Sequence, residues 1–230
     1  MDANVVKILV SSPIFCDISP SQLDIMLDCI NPKINTYSKN NYIAVEGEPY
    51  TGLGILLSGE AAIIKESASG SRVIMTVIGP GDLFGEMIAF SPRKHWPASV
   101  FAQSTCSVMF LPPEKIIGEC THGCGGYKQL IKNMLVLLST KALMLNQRVE
   151  YLAIKGMREK ISIYLLDQYK INQKNTFVLP LKRNELADFL SVSRTALSRE
   201  LGRMRDEGII EFYRTSVKIN NLAMLKRGAE

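Results

Sequence analysis

Histidine and tryptophan are scarce in this chain, which has two histidines and one tryptophan among its 230 residues. His95 and His122 are too few to supply the ligand set of a metal-dependent barrel enzyme. The chain also lacks a nucleophile placed beside a base, a glycine loop followed by lysine, and paired carboxylates in a catalytic context. These absences argue against an enzyme.

Cysteine usage and hydropathy bear on the compartment. The five cysteines are an odd number without the spacing of a disulfide framework, which favours a reducing cytoplasm. No apolar run approaches the roughly 20 residues of a membrane span. Residues 7–10 form too short an apolar run for a signal peptide. We therefore expect a cytoplasmic protein with no membrane partner.

Positive charge is concentrated in the last third of the chain. Residues 155–230 hold 15 of the 27 Lys and Arg residues but 9 of the 22 Asp and Glu residues, a net charge of +6. The other residues together carry a net charge of −1. Such segregation indicates a polyanionic partner, because phosphate neutralisation dominates the affinity of proteins for nucleic acids.

The segment 183–212 predicts a helix-turn-helix that runs into a strand. The first helix spans residues 183–190, and the second begins after Ser193, a plausible N-cap, and ends near Gly208. Spacings of three and four residues place Thr195, Ser198 and Arg199 on one face of the second helix, opposite its apolar residues. Strands over 209–212 and 216–219 form a wing.

This face has the chemistry of DNA recognition, because arginine binds guanine O6 and N7 together and hydroxyl groups reach base edges or phosphates. A solvated helical hairpin is the alternative interpretation, but the strand context and the local charge favour double-stranded DNA. The residues expected to bind DNA are Arg183, Ser193, Arg194, Thr195, Ser198, Arg199 and Arg203.

The N-terminal part has short apolar segments separated by glycine-containing turns, after an amphipathic helix over residues 19–30. This spacing predicts an antiparallel β-barrel or jelly roll, a fold that often holds a small ligand. The strands are expected at 42–45, 53–57, 61–64, 72–78 and 100–110, with a further strand beginning near residue 34.

A long helix from residue 127 to about 152 is expected between the two parts. Apolar residues recur along it at alternating spacings of four and three, which predicts a coiled-coil seam and hence a homodimer. A helix packed only on its own barrel is the alternative, and Met134, Leu137 and Met144 lie off the seam and could serve such packing. The seam residues are Ile131, Leu135, Leu138, Ala142, Leu145, Val149 and Leu152.

The expected organisation is thus α+β: an effector-binding β jelly roll over 1–126, a dimerisation helix over 127–154 and a winged helix-turn-helix over 155–230. This order resembles the Crp/Fnr (cyclic AMP receptor protein and fumarate-nitrate regulator) family of bacterial transcription regulators, and the resemblance covers essentially the whole chain. It implies a homodimer that binds a palindromic promoter site under effector control and acts through RNA polymerase. The motifs that carry it are Glu46-Gly47-Glu48, Gly79-x-Gly81-Asp82-x-Phe84-Gly85-Glu86 and Val192-Ser193-Arg194-x-x-x-Ser198-Arg199.

Two positions depart from the family pattern. Members that bind cyclic nucleotides carry Arg-Ser-Ala or Arg-Thr-Ala after Gly-Glu-Leu, and the arginine holds the cyclic phosphate. Here Trp96-Pro97 stands in that place, so we predict no tight binding of cyclic AMP or cyclic GMP. Thr195 replaces a glutamate that often reads cytosine, which predicts a different half-site at that base.

The identity of the effector stays open. No cofactor is predicted. Trp96 and Met87 make the expected pocket more apolar than a nucleotide site, which leaves two alternatives: an unknown apolar or aromatic effector, or a pocket filled by the protein itself. Redox or metal sensing through Cys120, His122 and Cys124 is a further alternative, although our prediction is no metal site. The pocket is expected to comprise Gly85, Glu86, Met87, Trp96, Pro97, Ala98, Leu145 and Asn146.

Overall fold

A computed structural model of the chain describes residues 3–66, 72–118 and 125–229. The chain forms two compact units, Met1–Thr140 and Lys141–Glu230. Across these three ranges, no helix has both the length and the apolar character needed to cross a membrane. The predicted fold class is confirmed: a β-rich N-terminal part, a long helix and a C-terminal helix-turn-helix follow one another along the chain.

The first unit opens with helices α1 (Ala3–Ser11) and α2 (Pro20–Ile30), separated by a 3-10 turn at Pro13–Phe15. Ser19 begins α2 with a capping box, because its hydroxyl accepts the Gln22 N–H while the Gln22 side chain accepts the Ser19 N–H. The predicted apolar face of α2 is buried, and it comprises Leu23, Met26, Leu27 and Ile30.

Within the described residues of this unit, eight strands form two antiparallel four-stranded sheets, with orders β1-β8-β3-β6 and β2-β7-β4-β5. Short helices α3 (Glu86–Ala89) and α4 (Pro113–Ile116) follow β6 and β8. The strands are β1 (Lys33–Tyr37), β2 (Tyr42–Ala44), β3 (Leu53–Ser58), β4 (Ala61–Glu66), β5 (Arg72–Ile78), β6 (Leu83–Phe84), β7 (Ser99–Ala102) and β8 (Cys106–Leu111).

The expectation of a single strand over 100–110 is wrong, because β7 and β8 lie in different sheets. The chain changes sheet at Gln103–Thr105, where the backbone N–H groups of Gln103 and Ser104 both donate to Glu60 O, at 2.9 and 3.2 Å. The Ser104 hydroxyl in turn accepts the Glu60 N–H at 2.9 Å. The corner residues Gln103, Ser104 and Thr105 are polar, and this short interruption between two apolar segments is the sequence signal that the expectation overlooked.

Strand β3 is buried on both of its faces, because successive side chains point in opposite directions. Leu53 and Ile55 pack with α1, α2 and the start of the long helix, whereas Leu56 packs between the two sheets. The core between the sheets also contains Phe84 and Trp96. This inter-sheet core therefore reaches the region where the effector pocket is expected.

The long helix α5 (Gly126–Ala153) has 28 residues. Leu130 and Met134 are buried in the core of the first unit, and the Asn133 amide donates to Ile14 O and Cys16 O at 3.0 and 2.6 Å. Residues 141–150 are all exposed. The helix is therefore held at its N-terminal end within the first unit, and it presents an exposed surface further along.

The second unit continues from the end of α5 through a linker at residues 154–156. Strands β9, β10 and β11 form one antiparallel sheet in the order β10-β11-β9, and their buried residues share one core with the buried tyrosine and leucine side chains of this unit. The remaining elements are α6 (Met157–Asn172), β9 (Thr176–Val178), α7 (Arg183–Phe189), α8 (Arg194–Asp206), β10 (Ile210–Tyr213), β11 (Ser216–Ile219) and α9 (Leu222–Arg227).

Candidate nucleic-acid interface and sensor corner

Helix α8 is built as the sequence predicts. The Ser193 hydroxyl accepts the Ala196 N–H at 3.2 Å and so caps the N-terminus. Leu197, Leu201 and Met204 are buried in the core of the second unit. Gly208 follows the last turn with φ +73°, a left-handed conformation that favours glycine. The apolar side is therefore fixed, and the opposite side is left to solvent.

Four of the residues expected to bind DNA come together on that opposite side. Arg194, Thr195, Ser198 and Arg199 are exposed and line one shallow concavity of about 580 Å³, and we call them the reading face. Arg199 Nε donates to Thr195 O at 3.5 Å. Among the described residues, no carboxylate pairs with Arg194 or Arg199. Both guanidinium groups are therefore available to an anionic partner.

The other three expected DNA-binding residues have partners within the protein. The Ser193 hydroxyl is engaged as the N-cap of α8. Arg203 Nη1 lies 3.3 Å from Glu200 Oε2. The Arg183 guanidinium is centred 4.9 Å from the Phe212 ring, and burial lowers its pKa from the usual value. None of the three lines the concavity.

A second set of residues forms what we call the sensor corner, which consists of Tyr50, Gly85 and Trp96. The Trp96 side chain is only 4% exposed, and its ring lies 4.8 Å from that of Tyr50 and 5.9 Å from that of Phe84. The Tyr50 hydroxyl donates to Gly85 O at 2.9 Å. Burial, with the Glu86 charge as a smaller cause, raises the pKa of Tyr50. The corner is thus filled by aromatic rings.

Backbone pairing aims Trp96 into this corner. The Trp96 N–H donates to Glu48 O, and Trp96 O accepts the Gly47 N–H, both at 2.9 Å. The Tyr50 N–H donates to Lys94 O at 2.8 Å. Gly85 has φ +80°, and a Cβ added there would lie 2.8 Å from the Trp96 ring. Glycine is therefore needed at position 85 both for its conformation and for the space taken by the indole.

The other expected pocket residues are more dispersed. Glu86 is buried, whereas Met87 is 67% exposed and Pro97 is also exposed. Ala98 is half-buried. Leu145 and Asn146 belong to the second unit and are exposed on α5, where the Asn146 amide donates to Glu150 Oε1 at 3.0 Å.

The residues at the sensor corner do not fit a cyclic nucleotide phosphate. A buried indole stands where the family pattern has an arginine, and Pro97 has no N–H to donate. Arg72 is engaged elsewhere, because its Nε donates to Glu66 at 2.6 Å and its Nη2 to the Tyr42 hydroxyl at 2.8 Å. Arg93 and Lys94 are exposed. The corner therefore supplies no buried cation to such a phosphate.

The predicted seam forms a largely exposed apolar stripe along α5. Leu135, Leu145, Val149 and Leu152 are each more than half exposed, and Ala142 is exposed as well. The two remaining seam residues, Ile131 and Leu138, are half-buried. Of the residues off the seam, Met134 is buried and Leu137 packs on the core, but Met144 is 52% exposed and does not pack there.

Metal and redox chemistry finds little support in the described part of the chain. Cys120, His122 and Cys124 lie outside the described residues. Among the described residues, Cys16, Cys29 and Cys106 form no disulfide, and the Cys106 thiol donates to Glu60 O at 3.2 Å. Within the described ranges, no group of three or more His, Cys, Asp or Glu side chains could hold a metal ion.

The two functional regions coincide with two known domain families. The cyclic nucleotide-binding domain matches residues 34–121, and the Crp-like helix-turn-helix domain matches residues 159–227. The chain belongs to the Crp/Fnr family of transcription regulators. The expectation that it is not an enzyme is confirmed by the same domains and by its relatives.

Relatives in this family are similar over nearly their whole length. The cyclic AMP receptor protein of Thermus thermophilus is 21% identical over 215 residues, covering 94% of this chain and 95% of that protein. A CRP-like cAMP-activated global transcriptional regulator of Mycobacterium tuberculosis is 22% identical over 228 residues, covering 97% and 99%. The structure of the Thermus thermophilus catabolite activator protein has a TM-score of 0.54 at 22% identity, covering 95% and 98%, and so shares the fold.

The second unit contains polar contacts that the sequence analysis missed. Arg158 makes ion pairs with Glu200 and Glu207, at 2.6 and 2.7 Å. The buried Lys160 side chain donates to Leu190 O, at the C-terminal end of α7, at 3.2 Å. These contacts join residues 30 to 49 positions apart, and no local sequence pattern signals such pairs.

Proposed function

We propose that the protein is a homodimeric, cytoplasmic regulator that binds a palindromic promoter site and acts through RNA polymerase. The observation that carries this proposal is the reading face, where two arginines and two hydroxyls surround one concavity on an exposed helix surface, and neither arginine pairs with a carboxylate in the described part of the chain. A helix of this kind enters the major groove with its N-terminal residues towards the bases. The net charge of +6 over residues 155–230 strengthens attraction to DNA.

The side chains of the reading face make different contacts with the DNA. Arg194 and Arg199 bind guanine or phosphate, and Ser198 bonds a phosphate or a base edge. Thr195 has a methyl group for contact with thymine but no carboxylate to accept a hydrogen bond from cytosine N4. The half-site therefore differs from that of a glutamate-bearing relative at the base that faces Thr195.

Dimerisation follows from the seam on α5. The seam residues recur at alternating spacings of four and three, and the largely exposed apolar stripe that they form is stabilised when a second copy covers it. A two-fold dimer carries two α8 helices, and it reads two half-sites about one helical turn of DNA apart.

Selection of bound sequences from random duplex DNA tests this function. We expect enrichment of an inverted repeat, and binding to it that weakens steeply as salt concentration rises, because counterions are released from the phosphates. Enrichment of no sequence, or binding without a salt dependence, would contradict the proposal. Transcription in vitro from a promoter carrying the selected site then shows whether the protein activates or represses RNA polymerase.

The proposed regulator does not respond to cyclic AMP or cyclic GMP. Its relatives include proteins named as cyclic AMP receptors, and one fold neighbour from Xanthomonas campestris is described as responsive to cyclic di-GMP. In this chain the filled sensor corner leaves either a small apolar or aromatic effector elsewhere, or no effector at all.

The one tryptophan of the chain is a built-in probe of this claim, because it lies in the sensor corner. Titration with cyclic AMP or cyclic GMP should leave the emission of Trp96 unchanged and give no heat of binding. A saturable change in emission at micromolar nucleotide would show that the nucleotide displaces the indole from the sensor corner.

A further inference from the structure

Arg158 connects the first turn of α6 to two widely separated points on α8. Its Nε lies 2.6 Å from Glu200 Oε1, and its Nη1 and Nη2 each donate to one oxygen of Glu207 at 2.7 Å. The two glutamates are seven residues apart, which is two helical turns or about 10 Å along the axis of α8. One guanidinium group therefore contacts α8 at two levels, with a bidentate contact at one of them.

These contacts lie on the side of α8 that faces away from the proposed DNA. An α-helix turns by about 100° per residue, so Glu200 and Glu207 project to the side opposite Ser198. Glu200 is only 9% exposed, and its other oxygen accepts from Arg203. Arg158 is consequently a contact of the back of the helix and not part of the reading face.

The Arg158 contact is directional, whereas the packing of the surrounding core is not. Leu197, Leu201 and Met204 hold α8 by apolar packing, which is not directional. A planar guanidinium that binds a carboxylate with two parallel bonds restricts both rotation and sliding. Hydrogen bonds to both Glu207 and Glu200 raise the pKa of Arg158, and those from Arg158 lower the pKa of Glu207, so the ion pairs persist at neutral pH.

We propose that Arg158 is a positioning residue for DNA recognition, which sets the angle of α8 on α6 so that Arg194 and Arg199 meet base edges together. Bonds to base edges are directional, whereas attraction to phosphates tolerates small rotations. Loss of the contact should therefore reduce sequence specificity more than general affinity for DNA. The proposal rests on the proposed function of the reading face.

The test compares Arg158→Gln and Glu207→Gln with the control Lys170→Gln. Lys170 lies on the same helix in an exposed ion pair with Asp167, so this control removes the same charge without touching α8. Binding is measured by fluorescence anisotropy on the selected site and on an unrelated duplex, each over a range of salt concentrations. We expect Arg158→Gln to lower the ratio of the two affinities by about tenfold, which is the effect of losing one bidentate base contact. The slope of log affinity against log salt concentration should equal that of the control.

Two results would overturn the positioning role. One is a ratio of the affinities for the selected and the unrelated duplex that is the same for Arg158→Gln and Lys170→Gln. A merely structural role would lower the thermal midpoint of unfolding without changing this ratio. The other is a salt slope smaller than that of the control by about 1, which would make Arg158 a phosphate contact. Glu207→Gln keeps the Glu200 ion pair and should lower the ratio in the same direction. If the wild-type protein binds the selected site no more tightly than the unrelated duplex, the proposed function itself fails.

Discussion

Apolar side chains are buried both on α8, which carries the reading face, and at the sensor corner, but the functional results are opposite. On α8 the apolar residues are buried, and Arg194 and Arg199 remain exposed to a partner. At the sensor corner the residue that replaces the family's arginine is itself apolar, and it is buried at 4% exposure. Under the proposed function, a ligand site persists where charge stays outside the core, and it closes where an aromatic ring joins the core.

This contrast separates fold from ligand chemistry. The chain follows its relatives over nearly their whole length, at about one residue in five identical. The fold survives this divergence because burial of apolar surface tolerates many sequences. Recognition depends on single side chains, so Trp96-Pro97 and Thr195 can change the ligand and the DNA sequence without changing the architecture.

Replacement of Trp96 tests the sensor corner with the largest expected effect. Trp96→Ala should lower the free energy of unfolding by about 3–5 kcal/mol, because it leaves a cavity among Tyr50, Gly85 and Phe84. Urea unfolding followed by circular dichroism measures the change. Met87→Ala is the control, since this exposed neighbour should change stability by less than about 0.5 kcal/mol. Equal small losses would mean that the indole is not part of the core.

The seam on α5 is tested by introducing charge. Leu145→Glu should convert the dimer to a monomer, because each packed leucine that is lost costs about 2–5 kcal/mol and the glutamates of the two copies repel. Sedimentation velocity measures the state. Leu143→Glu is matched in residue type and exposure but lies off the seam, so it should leave the dimer intact. Dissociation by both variants, or by neither, would contradict the seam.

The reading face is tested by Arg199→Ala. Loss of one bidentate base contact should weaken binding to the selected half-site by about 1–3 kcal/mol. Arg205→Ala removes the same charge from the same helix, but Arg205 pairs with Asp206 at 2.8 Å and does not line the concavity. Anisotropy titrations compare the two variants. Equal losses would indicate that net charge, and not the reading face, determines affinity.

The smallest effect concerns Tyr164 in the core of the second unit. Its hydroxyl is buried and has no hydrogen-bond partner among the described residues, and burial raises its pKa to about 12. Because an unfolded tyrosine has a pKa of about 10, the unfolded chain loses this proton more readily than the folded chain does. The Tyr164 ionisation therefore does not reduce stability below about pH 10, and it lowers stability as pH rises from 10 towards 12.

Tyr164→Phe removes both the unpaired hydroxyl and the titration. Stability at pH 7 should be equal or higher by about 1 kcal/mol, and it should fall less steeply between pH 10 and 12 than in wild type. Tyr213→Phe is the control, because Tyr213 is exposed. Denaturant unfolding at several pH values measures both. If the loss of stability between pH 10 and 12 is as steep as in wild type, burial does not raise the pKa of Tyr164.

Local periodicity was enough to predict α2 and α8, because helix faces repeat every 3.6 residues. The apolar stripe on α5 is largely exposed, and its role as a dimer seam stays a prediction. Strands β6 and β9 and helices α6 and α9 were missed. The two strands and α9 have two to six residues and so carry little periodic signal, whereas α6 has 16 residues. The role of Trp96 could not be decided from sequence, because its burial depends on pairing between residues 94–97 and 47–50. The Arg158 contacts likewise depend on packing of α6 against α8.

The affinity of the protein for its selected DNA site, measured with and without saturating cyclic AMP, tests the central claim most directly. An intact reading face and a filled sensor corner predict the same nanomolar-range affinity and the same salt dependence in both titrations. A change of about tenfold or more on adding the nucleotide, equivalent to about 1.4 kcal/mol, would show that the corner opens to a cyclic phosphate and would contradict the account.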